Sequence, residues 1–261
     1  MNMKVGDIVD LIESFASPLL AESYDNTGLL IGDREAETSK LLVCVDVTEE
    51  IVEEAKRVGA DMILSHHPLI FSGLKSLTGA SYIERCVVEI IRSGMALYCS
   101  HTSIDAAYGG VSHMAASMLS LINVKVLEPT HVDGEGFGVI GEIATKERFS
   151  DFLPKLKTIF DAPIIRHTAP HKELVKTIAF CGGSGSSLIS RAISLGADLY
   201  ISADFKYHDF FMAEKRITIA DIGHFESEKM VIEIFCNIIS KKYPTFVIYK
   251  TKINSNPIIY L

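Results

Sequence analysis

A strand, a helix, a Gly-Ala-Asp turn, a second strand, a connecting segment, a third strand and then a histidine occur twice, in that order, along this chain. In the first pass residues 40–47 read as a strand, and Thr48 reads as the cap of a helix reaching about Val58. Glu49 and Glu50 suit the first turn of that helix, where acids meet the positive end of its dipole. Gly59-Ala60-Asp61 then turns into a strand over 62–65 that ends at Ser65-His66-His67, and a helix over 80–93 and a strand over 95–99 lead to His101. In the second pass residues 174–180 form a strand, 181–186 a loop of small residues, and about 187–195 a helix. Gly196-Ala197-Asp198 turns into the strand 199–201, ending at Ser202-Ala203-Asp204; a short helix over 207–214 and a strand over 217–220 lead to Gly223-His224. Such alternation implies a parallel sheet with helices on both faces. The expected fold is therefore α/β: two similar, intimately packed α/β/α halves, 1–130 and 131–261, with largely parallel sheets and helices on both faces. Around this frame, 7–16 reads as an opening amphipathic helix, 24–32 as a turn into a short strand, 111–121 as helix and 137–143 as strand. Residues 122–136 and 144–173 read as connections, with a turn at 133–136. A long helix at about 227–240 leads to a last strand, 245–250, that returns to the sheet.

At 261 residues and 48% hydrophobic the chain can bury a full core, as one large domain or two intimate ones. A formal charge of −8 with no basic run disfavours nonspecific nucleic-acid binding. Cys44, Cys86, Cys99, Cys181 and Cys236 are odd in number, lack CxxC spacing and mostly sit in apolar runs, as reduced core cysteines of a cytosolic protein do. The first residues carry no apolar signal region, and no run approaches the roughly 18 apolar residues of a membrane span, so a cytoplasmic protein without a membrane partner is expected.

In open α/β sheets ligands bind beyond the carboxyl ends of the strands, and the residues best suited to hold a metal stand there: His66 and His67 after 62–64, His101 and Asp105 after 96–98, His224 and Glu228 after 217–220. Adjacent side chains in extended backbone point to opposite sides. Past a strand end, with Pro68 turning the chain, the rings of His66 and His67 can converge, one serving each of two metals; the plainer alternative is one ring capping a strand and one in solvent. His101 and Asp105, four apart, share a face of a helical turn. The Asp105 carboxylate can bridge two divalent ions, with His101 as ligand or as partner to a carboxylate; a turn or cap role for Asp105 is the alternative. His224 and Glu228 repeat that spacing, and Glu226, off their face, is expected in solvent; both acids would also suit a helix's first turn. Mixed nitrogen and oxygen ligands fit zinc, iron, manganese or cobalt, and the absence of cysteine argues against a structural zinc knot. Lys206 could meet a phosphate or carboxylate and His208 could act as general acid or base, unless the first is solvated and the second caps its helix. The loop over 181–187, with Ser184, either cradles an anion on its N–H groups or is a tight turn against the metal cleft. Asn26, Thr27 and Gly28 either line the same cleft or form a plain turn.

Six segments together resemble one known family: Tyr24-Asp25-Asn26-Thr27-Gly28-Leu29, Ser65-His66-His67-Pro68, residues 101–111, Cys181-Gly182-Gly183-Ser184-Gly185, Asp204-Phe205-Lys206-Tyr207-His208, and residues 223–228. They are similar, in order and over nearly the whole chain, to the GTP cyclohydrolase I type 2 homologs, also called NGG1-interacting-factor-three-like proteins. The likeness is to the short form, without the extra domain that some members carry near residues 130–135. The resemblance implies a dinuclear centre held by His66, His67, Asp105, His224 and Glu228, with His101 close by, two divalent ions per chain, and a toroidal homohexamer with its metal sites facing an internal cavity. One position departs: Val139 stands where the family resemblance leads one to expect arginine, which weakens any phosphate contact from that strand.

The leading expectation is a cytosolic dinuclear-metal hydrolase acting on a small molecule, a nucleotide or a related phosphorylated heterocycle. Paired metals generate a nucleophile from water and polarise the bound oxygen; Asp105 would bridge them, and His208 and His101 would handle protons. Applied to GTP, as the family name implies, the attack would fall on C8 of the purine. A non-catalytic metal-binding scaffold or regulatory adaptor is the alternative; a ring-shaped nucleic-acid-processing assembly is a third, opposed by the charge. Because Ser202-Ala203-Asp204 stands where the first half has Ser65-His66-His67, the centre is expected to be asymmetric.

Overall fold

The computed structural model describes residues 3–261, so Met1 and Asn2, where the reading of the first residues begins, lie outside it. Two compact units emerge, Met1–Ile104 with Val231–Pro257, and Asp105–Met230 with Ile258–Leu261. This differs from a division near residue 130. The reason is pairing: the last strand, Val247–Lys250, lies parallel beside Lys40–Cys44, which carries the end of the chain back to the first unit. No described helix is long and apolar enough to cross a membrane.

The two units are both α/β/α. In the first, the strand order is Val247–Lys250, Lys40–Cys44, Met62–Ser65, Ala96–Cys99, Gly28–Ile31. Every pairing is parallel except the last, where Gly28–Ile31 runs antiparallel along Ala96–Cys99. The central strands are buried along their whole length, as a sheet covered on both faces requires. On one face Leu42, Ile63 and Leu97 meet Ile51, Val52 and Ala55 of the helix Glu49–Val58 and Cys86, Val87 and Ile90 of Tyr82–Arg92. On the other, the helices Val5–Phe15 and Val231–Lys242 pack on each other, the latter also on the strand Lys40–Cys44.

In the second unit the order is Ile122–Pro129, Gly136–Arg148, Leu174–Ser184, Leu199–Ala203, Thr218–Asp221, Arg166–His167. Only the middle pairs, Leu174–Ser184 with Leu199–Ala203 and Leu199–Ala203 with Thr218–Asp221, are parallel. The strand expected at 137–143 is there, longer, as Gly136–Arg148, and the other antiparallel additions come from segments that read as connections. Residues 122–129 pair with it in a long hairpin, and Phe149–Ile159 is a helix. Ile122, Val124 and Val126 carry β-branched character there, but the strand's exposed, uneven pattern hides its period. The helix expected at 227–240 is two helices, His224–Glu228 and Val231–Lys242. All five cysteines are buried and free of disulfides, as expected.

The duplicated run has an atomic basis in its aspartates. The Asp61 Oδ2 accepts the N–H groups of Ser39 (2.6 Å) and Lys40 (3.1 Å) and the Ser39 hydroxyl (2.7 Å). The Asp198 Oδ2 accepts the N–H groups of Lys176 and Thr177, both at 3.0 Å, while its other oxygen meets the Lys172 ammonium at 2.6 Å. The backbone N–H of Asp61 donates to Lys40 O, and that of Asp198 to Thr177 O. Ahead of each aspartate a glycine takes the left-handed conformation that ends a helix, Gly59 at φ 66° and Gly196 at φ 78°. Each carboxylate thus pins two consecutive N–H groups at or near the start of its neighbouring strand.

Burial raises the Asp198 carboxyl but the Lys172 ammonium and the two N–H donors outweigh it, so its pKa lies below the ordinary value. A depressed carboxyl contributes stability above the unfolded pKa and loses it as pH falls through the folded one. Asp198→Asn should therefore lower unfolding stability by about 2 kcal/mol at pH 7, the scale of hydrogen bonds to a charged group. In urea denaturation that deficit should shrink toward zero near pH 2; a pH-independent deficit would refute the assignment.

Candidate metal centre

In the first unit the carboxyl ends of three adjacent parallel strands present Asp46, His66 with His67, and His101. The backbone N–H groups of His66 and His67 donate back to Val45 O, so both rings leave the strand end from a chain that has already turned. The rings of His66 and His67 lie 4.7 Å apart, and that of His101 lies 5.5 Å from each. His66 is fully buried.

Each of these rings has its Nδ1 tied to an oxygen. His67 Nδ1 meets Asp46 Oδ1 at 2.7 Å, His101 Nδ1 meets Asp25 Oδ1 at 2.8 Å, and His66 Nδ1 lies 3.2 Å from Ser100 O. An acceptor at Nδ1 places the proton there and leaves Nε2 with its lone pair. Asp25 has a further duty. Its other oxygen takes the N–H of Thr102 (3.0 Å) and the Thr102 hydroxyl, at the start of the helix Thr102–Ala106. Burial disfavours the Asp25 charge, yet His101 and Thr102 outweigh it and bring its pKa down to about 2. Asn26 and Thr27 build this turn: the Asn26 amide donates to Ile70 O, and the Thr27 hydroxyl to Cys99 O at 2.9 Å. Asn26 therefore braces the cluster from behind.

The second unit holds Asp105, His224 and Glu228. His224 Nδ1 meets Asp204 Oδ2 at 2.7 Å, and its Nε2 lies 3.0 Å from Glu228 Oε2, one helical turn on. Burial opposes charge on His224, but the hydrogen bonds it donates to Asp204 and Glu228 dominate and raise its pKa to about 11. Glu228 is buried, only 3% exposed. Burial, followed by the Asp105 and Glu228 charges, pushes the Cys181 thiol up, so both acids act at the same strand end.

The small-residue loop serves this helix. Gly183 has φ +60°, and a Cβ there would strike the Glu228 carboxylate; one on Gly182 would lie 2.9 Å from Val111 Cγ1 and 3.3 Å from Glu228 Cγ. The Gly183 N–H donates to Ser227 Oγ at 2.9 Å, and the Ser202 hydroxyl donates to Gly183 O at 3.0 Å. Of the two readings of the loop, close packing against the centre is the one its hydrogen bonds follow; Ser184 is exposed at its end.

One further expectation changes. Glu226 is not in solvent: it is 4% exposed, turned to the other side of its helix against Gly223, whose Cβ position its carboxylate occupies. Lys206 is exposed and its backbone N–H donates to Asp209, opening the short 3₁₀ helix Tyr207–Ala213. His208 is exposed on that helix, its ring against those of Tyr207 and Phe211. Sequence reading missed the orienting roles of Asp25, Asp46 and Asp204. A signal existed only for Asp204, which stands in the repeat where His67 stands.

The donor set fits a divalent metal. The Nδ1 of every histidine in these clusters is engaged by a carboxylate or a carbonyl, the arrangement that fixes a ligating imidazole and raises its basicity. Asp105 and Glu228 supply anionic oxygen, and no thiol competes.

Comparisons with known proteins agree over the whole chain. The family described as Duf34/NIF3 (NGG1p interacting factor 3) matches residues 3–257. The chain is 35% identical over 234 residues to a GTP cyclohydrolase 1 type 2 homolog of Clostridium perfringens, covering 88% of each chain. It is 33% identical over 265 residues to a protein of the same name from Lactococcus lactis, covering 98% of each. Among solved structures, Staphylococcus aureus hypothetical protein SA1388 superposes with a TM-score of 0.91 at 27% identity over 100% of both chains.

Two outcomes follow from this geometry. Gly183→Ala should displace Glu228 and cost about 1–3 kcal/mol of stability, since it adds both a clash and a strained φ; an unchanged melting curve would argue against close packing here. Because His224 stays protonated well above neutrality without a metal, metal binding at pH 7.5 should release its proton. Calorimetry in buffers of differing ionisation enthalpy should report about one proton released per chain from this group; a buffer-independent enthalpy would contradict it.

Proposed function

The chain belongs to the Duf34/NIF3 family, and from that premise we propose that it is a dinuclear-metal-dependent hydrolase acting on a nucleotide or a related phosphorylated heterocycle. The observation that carries the reading is that four histidines are each held through Nδ1 by an oxygen, which fixes the direction of the ring. The proposed ligands are His66, His67, Asp105, His224 and Glu228. Zinc, iron, manganese and cobalt all suit such a set.

When bound, a pair of such ions lowers the pKa of water and polarises a substrate oxygen. The protein's own part is orientation and proton handling. Asp25, Asp46 and Asp204 hold the rings of His101, His67 and His224 in one tautomer and one direction. His101, outside the proposed ligand set, is the group we assign to hold or move a proton, at its Nε2. His208, on an exposed turn against aromatic neighbours, is the weaker choice for that role. Lys206, exposed nearby in sequence, is available to an anionic group of the substrate. The relatives' printed name, GTP cyclohydrolase 1 type 2 homolog, makes GTP the first substrate to try.

Metal analysis of purified, reconstituted protein should find about two equivalents per chain. That preparation should then turn over a member of a panel of GTP, other nucleotides, phosphoesters and cyclic amides, while Asp105→Ala loses both metal and turnover and keeps its fold by circular dichroism. Retention of metal with no turnover across the panel would favour the metal-binding scaffold; absence of metal after reconstitution would defeat the proposal.

A further inference from the structure

The segment after the last strand carries a residue that the proposed metal centre has not yet used. Asp46 has two carboxylate oxygens and two side-chain partners: Oδ1 accepts from His67 Nδ1 at 2.7 Å, and Oδ2 accepts the Ser255 hydroxyl at 2.7 Å. All three groups belong to the first unit. Ser255 is 209 positions away from Asp46 in sequence, so this contact exists only because Val247–Lys250 pairs with Lys40–Cys44 and delivers the chain to the strand end beyond which Asp46 lies.

The path of that segment is fixed by other contacts. The Thr251 N–H donates to Val43 O at 3.0 Å, and the Lys252 N–H to Glu54 Oε1 at 3.2 Å. The Thr251 hydroxyl donates to the other oxygen of Glu54, which is itself only 4% exposed. Ile253 packs against the core cluster of Leu42, Ile51 and Leu69. Ser255 is therefore placed by its neighbours rather than holding them. Its own hydroxyl has one function in view, which is to stop the Asp46 carboxylate from rotating. A carboxylate with one oxygen on an imidazole and nothing on the other can swing about its Cα–Cβ and Cβ–Cγ bonds, and the imidazole swings with it. With both oxygens held, the plane of the carboxylate and the direction of the His67 ring are set together.

We propose that Ser255 and Asp46 are positioning residues for His67: the carboxy-terminal segment latches Asp46, and Asp46 fixes the tautomer and direction of the His67 ring toward a divalent metal. This rests on the reading of His67 as a ligand. It adds to that reading a residue distant in sequence whose effect on the metal passes wholly through Asp46.

The test uses the full chain, stripped of metal, with Zn²⁺ alone as probe in competition with a chromophoric chelator. Asp46→Ala should weaken zinc binding by roughly 10–100-fold, the usual cost of losing a group behind a ligand. Ser255→Ala should weaken it by roughly 10-fold, the lower edge of that range, and Ser255→Thr, which keeps the hydroxyl, should restore it. The double variant should bind no worse than Asp46→Ala, because the serine acts through the aspartate. A second readout needs no metal: nitrogen-15 imidazole spectra of the metal-free protein should show His67 protonated at Nδ1, with Ser255→Ala shifting that resonance and Ser255→Thr not. Melting temperatures of the serine variants should stay at the wild-type value. Ser255→Ala with unaltered zinc affinity and an unaltered His67 resonance would overturn the proposal, as would losses that multiply in the double variant. If the wild type binds no zinc, the ligand reading fails, and the His67 resonance still decides whether the latch exists.

Discussion

Everything at the two strand ends depends on register, and register is held by two aspartates. A slip of one residue in a strand sends each side chain to the opposite face. In the first unit that would carry Leu42 and Ile63 off the face where Ile51 and Ile90 wait, and would change the strand end from which His66 and His67 leave. Parallel pairs have no hairpin turn to prevent such a slip, because the connection runs through a helix. The carboxylates of Asp61 and Asp198 supply what a turn would have supplied. Each reaches back across the sheet to two consecutive N–H groups at or near the start of the neighbouring strand, and each follows a left-handed glycine that stops the preceding helix at the required residue. The helix end, the strand start and the alignment of the two strands are thereby one event in each unit.

That dependence explains what could be read from the chain and what could not. Gly59-Ala60-Asp61 and Gly196-Ala197-Asp198 are visible because the constraint is local: a positive φ demands glycine, and the carboxylate must stand directly before the strand. The alternation of elements and the His66, His67, Asp105, His224 and Glu228 set are visible because they follow strand ends. Of the hairpin 122–148 the inner strand was legible at 137–143, but Ile122–Pro129 was not, because it lies at the edge of the sheet, where exposure breaks up the apolar period. Asp25, Asp46 and Asp204 were invisible as orienting groups for a different reason. An aspartate near a turn in sequence looks the same whether it caps a helix, meets solvent or holds a histidine 76 residues away, as Asp25 holds His101. Ser255 lies further still from its partner. Glu226 illustrates the converse error: helical spacing separates its face from that of Glu228, but a five-residue helix packed on both sides has no solvent face to offer it.

The two units solve the same problem with their residues exchanged, and the exchange has a steric cause. Counted along the chain from Asp61 and Asp198, His67 corresponds to Asp204 and Asp46 to Gly183, with the second unit's pairing shifting between Phe180 and Ser184. In the first unit the carboxylate stands on the earlier strand and the imidazole on the later one. In the second unit no side chain fits at the earlier position, since a Cβ on Gly183 would occupy the place of the Glu228 carboxylate. An orienting carboxylate must then come from the next strand, at Asp204, and the imidazole it orients must come from beyond the strand after that, at His224. Bringing Glu228 in against the sheet therefore displaces the whole histidine–carboxylate pair by one strand. The same move leaves His224 between two acids, which is why its pKa is driven up to about 11. A duplicated fold with one glycine pair on one side and an aspartate on the other is enough to produce one histidine-rich cluster and one carboxylate-rich cluster.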